Sequence, residues 1–457
     1  MRAAATQIVR RLQDAGFEAF WVGGCVRDQL LGKPAHDIDI ATAARPEQIE
    51  ALFKRTIPVG RQFGVLVVLA GGHSFQVATF RAESDYTDGR RPDRVAFTDA
   101  RADALRRDFT VNGLFYDPVH ETIHDWVGGR ADIEARVLRT IGDPAERFGE
   151  DHLRLLRAVR FAAQLGFTIE PATLRAVQSR AALIRDVSAE RIREELVKLF
   201  RPPHAARGLE LLRESSLLEP VLPEIAATID CAQSPQFHPE GSVFNHIAKM
   251  LAQLPADAAA TLPWAVLLHD VAKPSTATRD PDTGEIHFYG HEKAGADQAR
   301  EILARLRFPR REIEEIVTCV RHHMQFKDVR QMRRSTLRRL LMRPTFPVEM
   351  ELHRLDCLGS HGSLDHYDFL REQAAQLDAR PALRPPLVTG DDLIRMGMKP
   401  GPALGALLAE IREKQLQDEL STRAAARAWA KQRLKETGVT LVPAPRRARI
   451  AKPRRGS

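Results

Sequence analysis

The sequence of 457 residues predicts an α+β fold, with an α/β head of about 145 residues in front of a long all-α body. In the head, short runs rich in β-branched and aromatic residues are typical of strands: FWVGGCV, HDIDIAT, VLVVLAGG and SFQVATF. From about residue 146, apolar residues recur three and four positions apart, as in DHLRLLRAVRFAAQLGF and AERIREELVKLF. The opening segment MRAAATQIVRRLQDAGF has the same helical spacing and lacks the apolar core of a signal peptide.

The composition excludes several classes of protein. A hydrophobic fraction of 44% with 28 Gly and 28 Pro excludes disordered and collagen-like chains. No apolar run approaches the ~20 residues of a membrane span, so no membrane partner is expected. The four cysteines are scattered, which argues against a disulfide scaffold or zinc ribbon and is typical of a cytoplasmic protein.

The net charge of +8 is concentrated at the C-terminal end of the chain. Residues 441–457 (LVPAPRRARIAKPRRGS) hold six basic residues and no acidic residue. Two interpretations stay open for this tail: a solubilising disordered end, or a flexible arm that contacts phosphates.

The first group of candidate functional residues lies in the head. A Gly pair follows the first strand, in Gly23-Gly24-Cys25-Val26-Arg27-Asp28, and allows the backbone and the next helix to approach a phosphate. Asp37 and Asp39 alternate on a strand, so their carboxylates share one face and suit Mg²⁺ bridging a triphosphate. The alternative is that one aspartate caps a helix and the other is solvated.

The order GGCVRD, eight residues, DID resembles the signature of the class II tRNA nucleotidyltransferases and bacterial poly(A) polymerases. Over about residues 5–225, further stretches resemble that family in the same order: RRDFTVN (106–112), DWVGG (125–129), EDHLR (150–154) and LRAVRF (156–161). The resemblance implies that Asp37 and Asp39 are the catalytic Mg²⁺ ligands. It implies nucleotide binding by Gly23, Gly24, Arg27, Arg107, Asn112, Asp151, Arg154, Arg157 and Arg160. One departure is Gln76, where polymerase relatives often have a third carboxylate.

Asp151 and Arg154 lie three apart in a helical pattern. For an arbitrary pair this spacing indicates a helix salt bridge. Within the matching EDHLR motif, recognition of the base is favoured, because an acceptor beside a donor complements the amine and ring nitrogen of cytosine and adenine. Uracil and guanine present a carbonyl and a ring N–H at the same positions, so neither Asp151 nor Arg154 would find its hydrogen-bond partner.

The family contains two main activities, CCA addition to tRNA and poly(A) addition. Poly(A) polymerases of this type have a second basic residue and a His where this sequence has Gln62 and Val67. We therefore expect template-independent addition of C, C and A to the 3′ end of tRNA from CTP and ATP. Poly(A) addition, and C-only or A-only addition to tRNA, remain the alternatives.

A second candidate site is a set of His and Asp residues that resembles, in order, the HD metal-dependent phosphohydrolases. The resemblance implies metal ligation by His246, His269, Asp270, His291, His322 or His323, and Asp356. Imidazole with carboxylate favours a transition metal such as Mn²⁺ or Ni²⁺ over Mg²⁺. Expected substrates are 2′,3′-cyclic phosphates and phosphomonoesters. The alternative is an HD fold that has lost its metal and serves RNA binding.

The block LVTGDDLIRMGMKPGPALGALLAEI (387–411) resembles the C-terminal segment of the bifunctional proteins that combine both domains. Its Lys399-Pro400-Gly401-Pro402 predicts a helix start that could hold a tRNA phosphate. The predicted organisation is a nucleotidyltransferase head (1–145), a helical base- and RNA-binding neck (146–236), an HD domain (237–370), a tRNA-binding helical segment (385–438) and the basic tail (439–457).

Overall fold

The computed structural model describes six ranges of the chain: 1–35, 37–61, 64–84, 94–234, 239–378 and 385–436. Gln62 and the whole of the basic tail (439–457) therefore lie outside the described residues. Two compact units are present. The first holds Met1–Arg321 with Leu358–His361, and the second holds His322–Cys357 and the described residues from Gly362 onward.

A seven-stranded mixed sheet forms the centre of the head, in the order β3-β4-β5-β2-β1-β8-β9. Only β2 and β5 pair in parallel; the other neighbours are antiparallel. Aromatic side chains from several of these strands pack in one buried cluster. The strands are β1 (Ala19–Val22), β2 (Asp39–Thr42), β3 (Thr56–Gly60), β4 (Val65–Ala70), β5 (His73–Thr79), β8 (Phe115–Asp117) and β9 (Thr122–His124).

Short helices and a separate hairpin complete the head. The hairpin pairs β6 (Arg81–Ser84) with β7 (Arg94–Phe97). A 3-10 turn covers Thr110–Asn112. The helices are α1 (Arg2–Asp14), α2 (Gly24–Leu30), α3 (Pro46–Leu52), α4 (Ala100–Leu105) and α5 (Gly129–Glu134).

After the head the chain becomes helical, as the apolar spacing predicts. Helix α7 is buried along most of its length because it packs against both α9 and α10. A two-residue parallel pair joins β10 (Val137–Leu138) to β11 (Thr168–Ile169). The helices here are α6 (Pro144–Glu150), α7 (Leu153–Leu165), α8 (Pro171–Arg180), α9 (Ala189–Leu199), α10 (Ala205–Glu214), α11 (Leu218–Val221) and α12 (Pro223–Ala226), with a 3-10 helix at Ala181–Asp186.

The rest of the first unit contains the helices that carry most of the predicted HD residues. Helix α14 is buried at every position, which fits its uninterrupted apolar sequence LPWAVLL. The elements are α13 (Val243–Leu251), α14 (Leu262–Leu268), α15 (Lys273–Thr276), β12 (Thr278–Arg279), β13 (Ile286–His287), α16 (His291–Arg305) and α17 (Arg310–His322).

The second unit is helical throughout its described part. Gly401 precedes a helix that has Pro402 at its first position, as predicted. Two apolar clusters stabilise this unit, one centred on Phe326 and Leu370 and the other on Leu393 and Ile411. Its elements are a 3-10 helix (His323–Gln331), α18 (Arg334–Leu341), α19 (Phe346–Gly359), α20 (Asp365–Asp378), α21 (Gly390–Arg395), α22 (Pro402–Leu416) and α23 (Arg423–Glu436).

The predicted α+β class, a mixed-sheet head followed by a helical body, is confirmed. None of the four cysteines, all of which lie in the described part, forms a disulfide. Within the described ranges, no helix combines the length and apolarity needed to cross a membrane.

Candidate functional site

The register of the head sheet brings the two sequence motifs of the head together. Val22 of β1 pairs with Asp39 of β2, so Asp39 lies beside the residue that precedes the Gly pair. Gly23 has φ +73°, and a Cβ there would lie 3.1 Å from Nη1 of Arg107. A side chain at this position would therefore be strained and would crowd an arginine, which explains the glycine.

A cleft of about 560 Å³ opens at this point. The predicted residues Gly23, Gly24, Arg27, Asp39, Arg107, Asn112, Asp151, Arg154 and Arg157 all line it. Two predicted residues are not among the lining residues. Asp37 is exposed just before β2 begins, and Arg160 is buried and bonded to Glu195.

The prediction that Asp37 and Asp39 both lie on a strand is only partly right, since β2 starts at Asp39. The alternation nevertheless holds, because Ile38 is buried between two exposed aspartates. Partial removal from water raises the pKa of Asp39; Arg107 opposes this rise, and the negative charge of Asp37 adds to it. Asp39 thus lines the cleft with the carboxylate of Asp37 close enough to act on its pKa.

A chain of hydrogen bonds fixes the side chains on one wall of the cleft. Nη1 of Arg27 donates to Oδ1 of Asn112 at 2.6 Å, and Nδ2 of Asn112 donates to Asp108 at 3.1 Å. Asp108 also accepts two hydrogen bonds from Arg157, at 2.9 and 2.7 Å. Burial opposes ionisation of Asp108, but Arg157 outweighs it and holds the pKa at about 2. Asp108 is therefore a permanent anion that holds Arg157 in place.

Phe161 lies beside three arginines. The guanidinium carbons of Arg27, Arg157 and Arg160 are 5.4, 5.1 and 3.9 Å from its ring centroid. Cation–π contacts of this kind keep cations in place without neutralising them. The lining of the cleft therefore combines aromatic surface with positive charge.

The structure contradicts the prediction that Asp151 and Arg154 lie on one helix. Asp151 is the extended residue after α6, and α7 starts only at Leu153. The two side chains also have separate partners: Asp151 pairs with Arg191 at 2.8 Å, and Arg154 pairs with Glu150. The break between the helices directs both side chains to the cleft, which a continuous helix with a mutual salt bridge would not do.

Several lining residues were not predicted as site residues: Arg81, Arg106, Asp108 and Phe161. Buried Asp103, which contacts two of the lining arginines, was also missed. Its spacing of three and four from Arg106 and Arg107 was visible in the sequence as a helical ion-pair pattern. No local spacing pattern marked Arg81, because only the tertiary structure brings this residue to the cleft.

The second site centres on three buried histidines of the first unit. His246 and His269 are adjacent, with ring centroids 5.4 Å apart, and His291 begins α16 after Gly290. Each Nδ1 lies beside an acceptor: Glu240 at 2.7 Å, Val266 O at 2.8 Å and Phe288 O at 2.7 Å. Carbonyl and carboxylate oxygens only accept, so Nδ1 is the donor in these contacts and Nε2 is the nitrogen that a metal would take.

Asp270 lies between two of these Nε2 atoms. Its carboxylate oxygens are 3.1 Å from Nε2 of His269 and 3.4 Å from Nε2 of His291. Burial opposes its ionisation, but His269 and Lys273 outweigh it and hold the pKa well below the usual range. Two imidazole Nε2 atoms and an anionic carboxylate thus converge, and this set of donor atoms fits a divalent transition metal, which would displace the Nε2 protons on binding.

The remaining predicted ligands belong to the second unit. His322 is the last residue of α17, and His323 is the buried first residue of the following 3-10 helix. Asp356 is half-buried on α19.

Comparison with protein-family models finds three matches in chain order. Residues 19–139 match the poly A polymerase head domain, 166–229 the probable RNA and SrmB-binding site of polymerase A, and 243–358 the HD domain. The first match covers the cleft residues from Gly23 to Asn112, and the third covers the histidine cluster. The cleft residues Asp151, Arg154, Arg157 and Phe161 lie between the first and second matches.

Curated relatives are named CCA-adding enzymes. The protein from Lactiplantibacillus plantarum is 47% identical over 215 residues, which are 47% of this chain and 53% of the relative. The protein from Latilactobacillus sakei is 41% identical over 263 residues, 56% of this chain and 66% of the relative. The chain thus spans about half the length of most of the curated relatives it matches.

Among solved structures, the Bacillus stearothermophilus CCA-adding enzyme in complex with CTP superposes with a TM-score of 0.73 at 29% identity, covering 95% of this chain and 98% of that one. The Thermotoga maritima CCA-adding enzyme complexed with tRNA gives 0.60 at 18% identity, covering 94% of each chain, and shares the fold. The chain therefore belongs to the family of the class II tRNA nucleotidyltransferases and bacterial poly(A) polymerases, and it carries an HD domain in addition.

Proposed function

We propose that this protein adds C, C and A to the 3′ end of tRNA, using CTP and ATP and no nucleic-acid template. The observation that carries the proposal is the cleft, where Asp39, the Gly-Gly turn, five arginines and the Asp151–Arg154 pair share one surface. The names of the related proteins and the fold shared with a CTP complex support the same activity.

In the proposed reaction, the 3′ oxygen of the RNA forms a bond to the α-phosphorus, and the bond to the pyrophosphate leaving group breaks. Asp37 and Asp39 would hold Mg²⁺, since two carboxylates on one face offer the hard oxygen ligands that this ion prefers. When bound, Mg²⁺ neutralises phosphate charge and favours ionisation of the attacking hydroxyl.

The side chains of the chain itself perform the binding. Arg27 and Arg107 are proposed to contact the triphosphate or sugar at the Gly23-Gly24 turn, and Asn112 to lie beside the incoming nucleotide. Arg157 and Arg160 flank Phe161 and add positive charge. Guanidinium groups are suited to this task because their planar N–H forks match phosphate oxygens.

Base selection is proposed to depend on Asp151 and Arg154. Asp151 offers an acceptor and Arg154 offers donors, the pattern that complements cytosine and adenine and opposes uracil and guanine. Their partners Arg191 and Glu150 hold the two side chains apart from one another, so that each can meet a base.

The experiment is incubation of the purified full-length protein with tRNA lacking its 3′ CCA and with each labelled NTP in turn. The proposal expects incorporation of CTP first, then of ATP only after two C additions. Extension by many A residues would instead indicate a poly(A) polymerase, and incorporation limited to C or A a partial activity. Failure to incorporate any nucleotide would overturn the proposal.

We further propose that the histidine cluster is a metal-dependent phosphohydrolase site. His246, His269, Asp270 and His291 would hold a metal such as Mn²⁺ or Ni²⁺, since the Nδ1 contacts of the three histidines leave Nε2 as the nitrogen for the metal. The motif order adds His322 or His323, and Asp356, to the ligand set. The metal would polarise a phosphoester for attack by water.

This second activity is tested with 2′,3′-cyclic nucleotides and phosphomonoesters in the presence of Mn²⁺, Ni²⁺ or Mg²⁺. Hydrolysis that Mn²⁺ or Ni²⁺ stimulates more than Mg²⁺ supports the proposal. Absence of both hydrolysis and bound metal would indicate an HD fold that serves RNA binding only.

For the helical segment at 385–438 and the tail at 439–457, we propose contacts to tRNA phosphates.

A further inference from the structure

We propose that Asp103 is a positioning residue that organises three arginines of the nucleotide cleft and thereby sets the affinity for the triphosphate; this rests on the proposed nucleotide transfer. Asp103 is 1% exposed and does not itself line the cleft. The three arginines around it, Arg81, Arg106 and Arg107, all line the cleft.

Each oxygen of the Asp103 carboxylate has its own arginine. Oδ1 accepts from Nε and Nη2 of Arg106 at 3.0 and 2.8 Å, and Oδ2 accepts from Nε and Nη2 of Arg107 at 3.3 and 3.0 Å. Oδ1 also accepts the backbone N–H of Arg81 at 3.2 Å. One buried anion therefore fixes the orientation of two guanidinium groups and the backbone position of a third arginine.

Asp103 contacts only the Nε–Nη2 edge of Arg106 and of Arg107, so Nη1 of each arginine stays outside these contacts. Asp103 occupies the Nε–Nη2 edge of Arg107, while Nη1 of Arg107 lies 3.1 Å from the point where a Cβ on Gly23 would stand. That nitrogen therefore faces the Gly-Gly turn, where a phosphate would approach. A plain surface salt bridge would not combine a buried carboxylate with two arginines that each keep about a fifth of their side chain exposed.

The negative charge of Asp103 also permits the arginines to be close together. Three cations around one small cleft repel one another when no ligand is bound, and this repulsion would drive the side chains apart. Arg107 and Arg106 outweigh the burial of Asp103 and keep its pKa below the usual range, so the carboxylate stays charged at neutral pH. The cluster is thus prepared for a polyanion before the nucleotide arrives.

Arg106 connects this cluster to the base-reading side of the cleft. Its carbonyl oxygen accepts from Nη2 of Arg154 at 3.4 Å and from Nη1 of Arg147 at 3.3 Å. The side chain of Arg106, however, is directed to Asp103. We therefore expect loss of Asp103 to weaken the binding of CTP and of ATP equally. Loss of Arg154 should instead reduce the preference of the protein for CTP and ATP over UTP and GTP.

The test compares Asp103→Asn with Asp99→Asn in the full-length protein. Asp99 is the N-cap of the same helix and accepts from Ala102 N, with no arginine partner among its described contacts. Asp103→Asn should raise KM for both CTP and ATP about tenfold with kcat within about threefold, because it removes binding common to ground and transition state. Asp99→Asn should leave both KM values within about twofold, because asparagine keeps an oxygen that caps the helix.

Equilibrium titration with CTP provides a second readout that needs no transfer. If the wild type binds CTP but transfers nothing, the proposed function fails while the role of Asp103 is still measured. Unchanged CTP affinity in Asp103→Asn, or an equal loss in Asp99→Asn, would overturn the role. If Asp103→Asn does not fold, Arg106→Gln replaces it: a raised KM for both nucleotides supports the cluster, and an unchanged KM refutes it.

Discussion

Under the proposed functions, the nucleotide cleft and the histidine cluster would both act on phosphate esters, but they present opposite kinds of groups. In the cleft, guanidiniums are prominent, and buried carboxylates such as Asp103 and Asp108 hold them in place. In the cluster, imidazoles gather around the carboxylate of Asp270, and backbone carbonyls or Glu240 hold the imidazoles through Nδ1. The comparison teaches that the supporting contacts differ with the site: carboxylates hold the guanidiniums of the cleft, whereas hydrogen-bond acceptors hold the imidazoles of the cluster.

The consequence is a difference in what each site needs from outside. The cleft already carries charge that complements a polyanion and needs a cation only beside Asp37 and Asp39. Among the described residues, Lys273 is the cation recorded beside Asp270, at 2.7 Å, and a bound metal would supply the further positive charge that attracts a phosphate. Substitutions in one site should therefore leave the other working.

The largest expected effect is at Asp39. Asp39→Ala should reduce addition of both C and A by more than about 100-fold, because the remaining carboxylate cannot hold the metal at the reacting phosphate. Single-turnover incorporation of labelled CTP and ATP measures this, with tRNA binding expected to remain. Glu50→Ala, which removes an exposed salt-bridge partner of Arg61, is the control. More than a few per cent of residual incorporation would contradict the metal assignment.

Asp270→Ala should abolish hydrolysis of a 2′,3′-cyclic nucleotide while nucleotide addition stays nearly normal. The buried carboxylate lies beside two histidines and no other described acid takes its place between them. Metal content measured together with hydrolysis gives two readouts. His287→Ala removes a half-buried histidine of the same region that is not among the proposed ligands and serves as the control. Loss of both activities in a folded variant would mean that the sites are coupled.

Arg154→Ala should relax the choice of base without abolishing transfer. The free-energy preference for CTP and ATP over UTP and GTP should fall by on the order of 1–3 kcal/mol for each lost polar partner. Arg147→Ala is a matched control, because Arg147 shares the partner Glu150 but does not line the cleft. Equal relaxation in both variants, or unchanged selectivity with lower stability, would favour a structural ion pair instead.

The smallest expected effect concerns Glu240, which contacts Nδ1 of His246. Glu240→Ala should weaken metal binding about tenfold, because Nδ1 of His246 loses the acceptor that fixes its tautomer and ring orientation. Glu240→Gln, which keeps an acceptor oxygen, should recover part of the affinity. Calorimetric titration with Mn²⁺ measures both, and the control is Glu285→Ala, an exposed residue beside half-buried His287. Unchanged affinity in Glu240→Ala would show that the contact does not position His246.

The residues that local spacing identified are those whose role depends on neighbours in the chain. The Gly-Gly turn and the Asp37–Asp39 alternation were predicted because turn geometry and strand period act within a few residues, whereas His269-Asp270 was identified through the resemblance to the HD phosphohydrolases. The α+β class followed in the same way from period-2 and helical patterns. Asp103 was within reach of the same reasoning, since its partners are three and four residues away.

The tertiary structure alone decided which charged residues become partners across long separations. Asp108 meets Arg157 49 positions away, Glu195 meets Arg160 35 positions away, and Asp151 meets Arg191 40 positions away. No periodicity encodes such pairs, because any exposed arginine can pair with any carboxylate until packing removes the alternatives. The sequence by itself therefore determined the fold class and supplied the candidate reacting groups, whereas the packing of α7 against α9, and the register of the head sheet, determined how those groups are held.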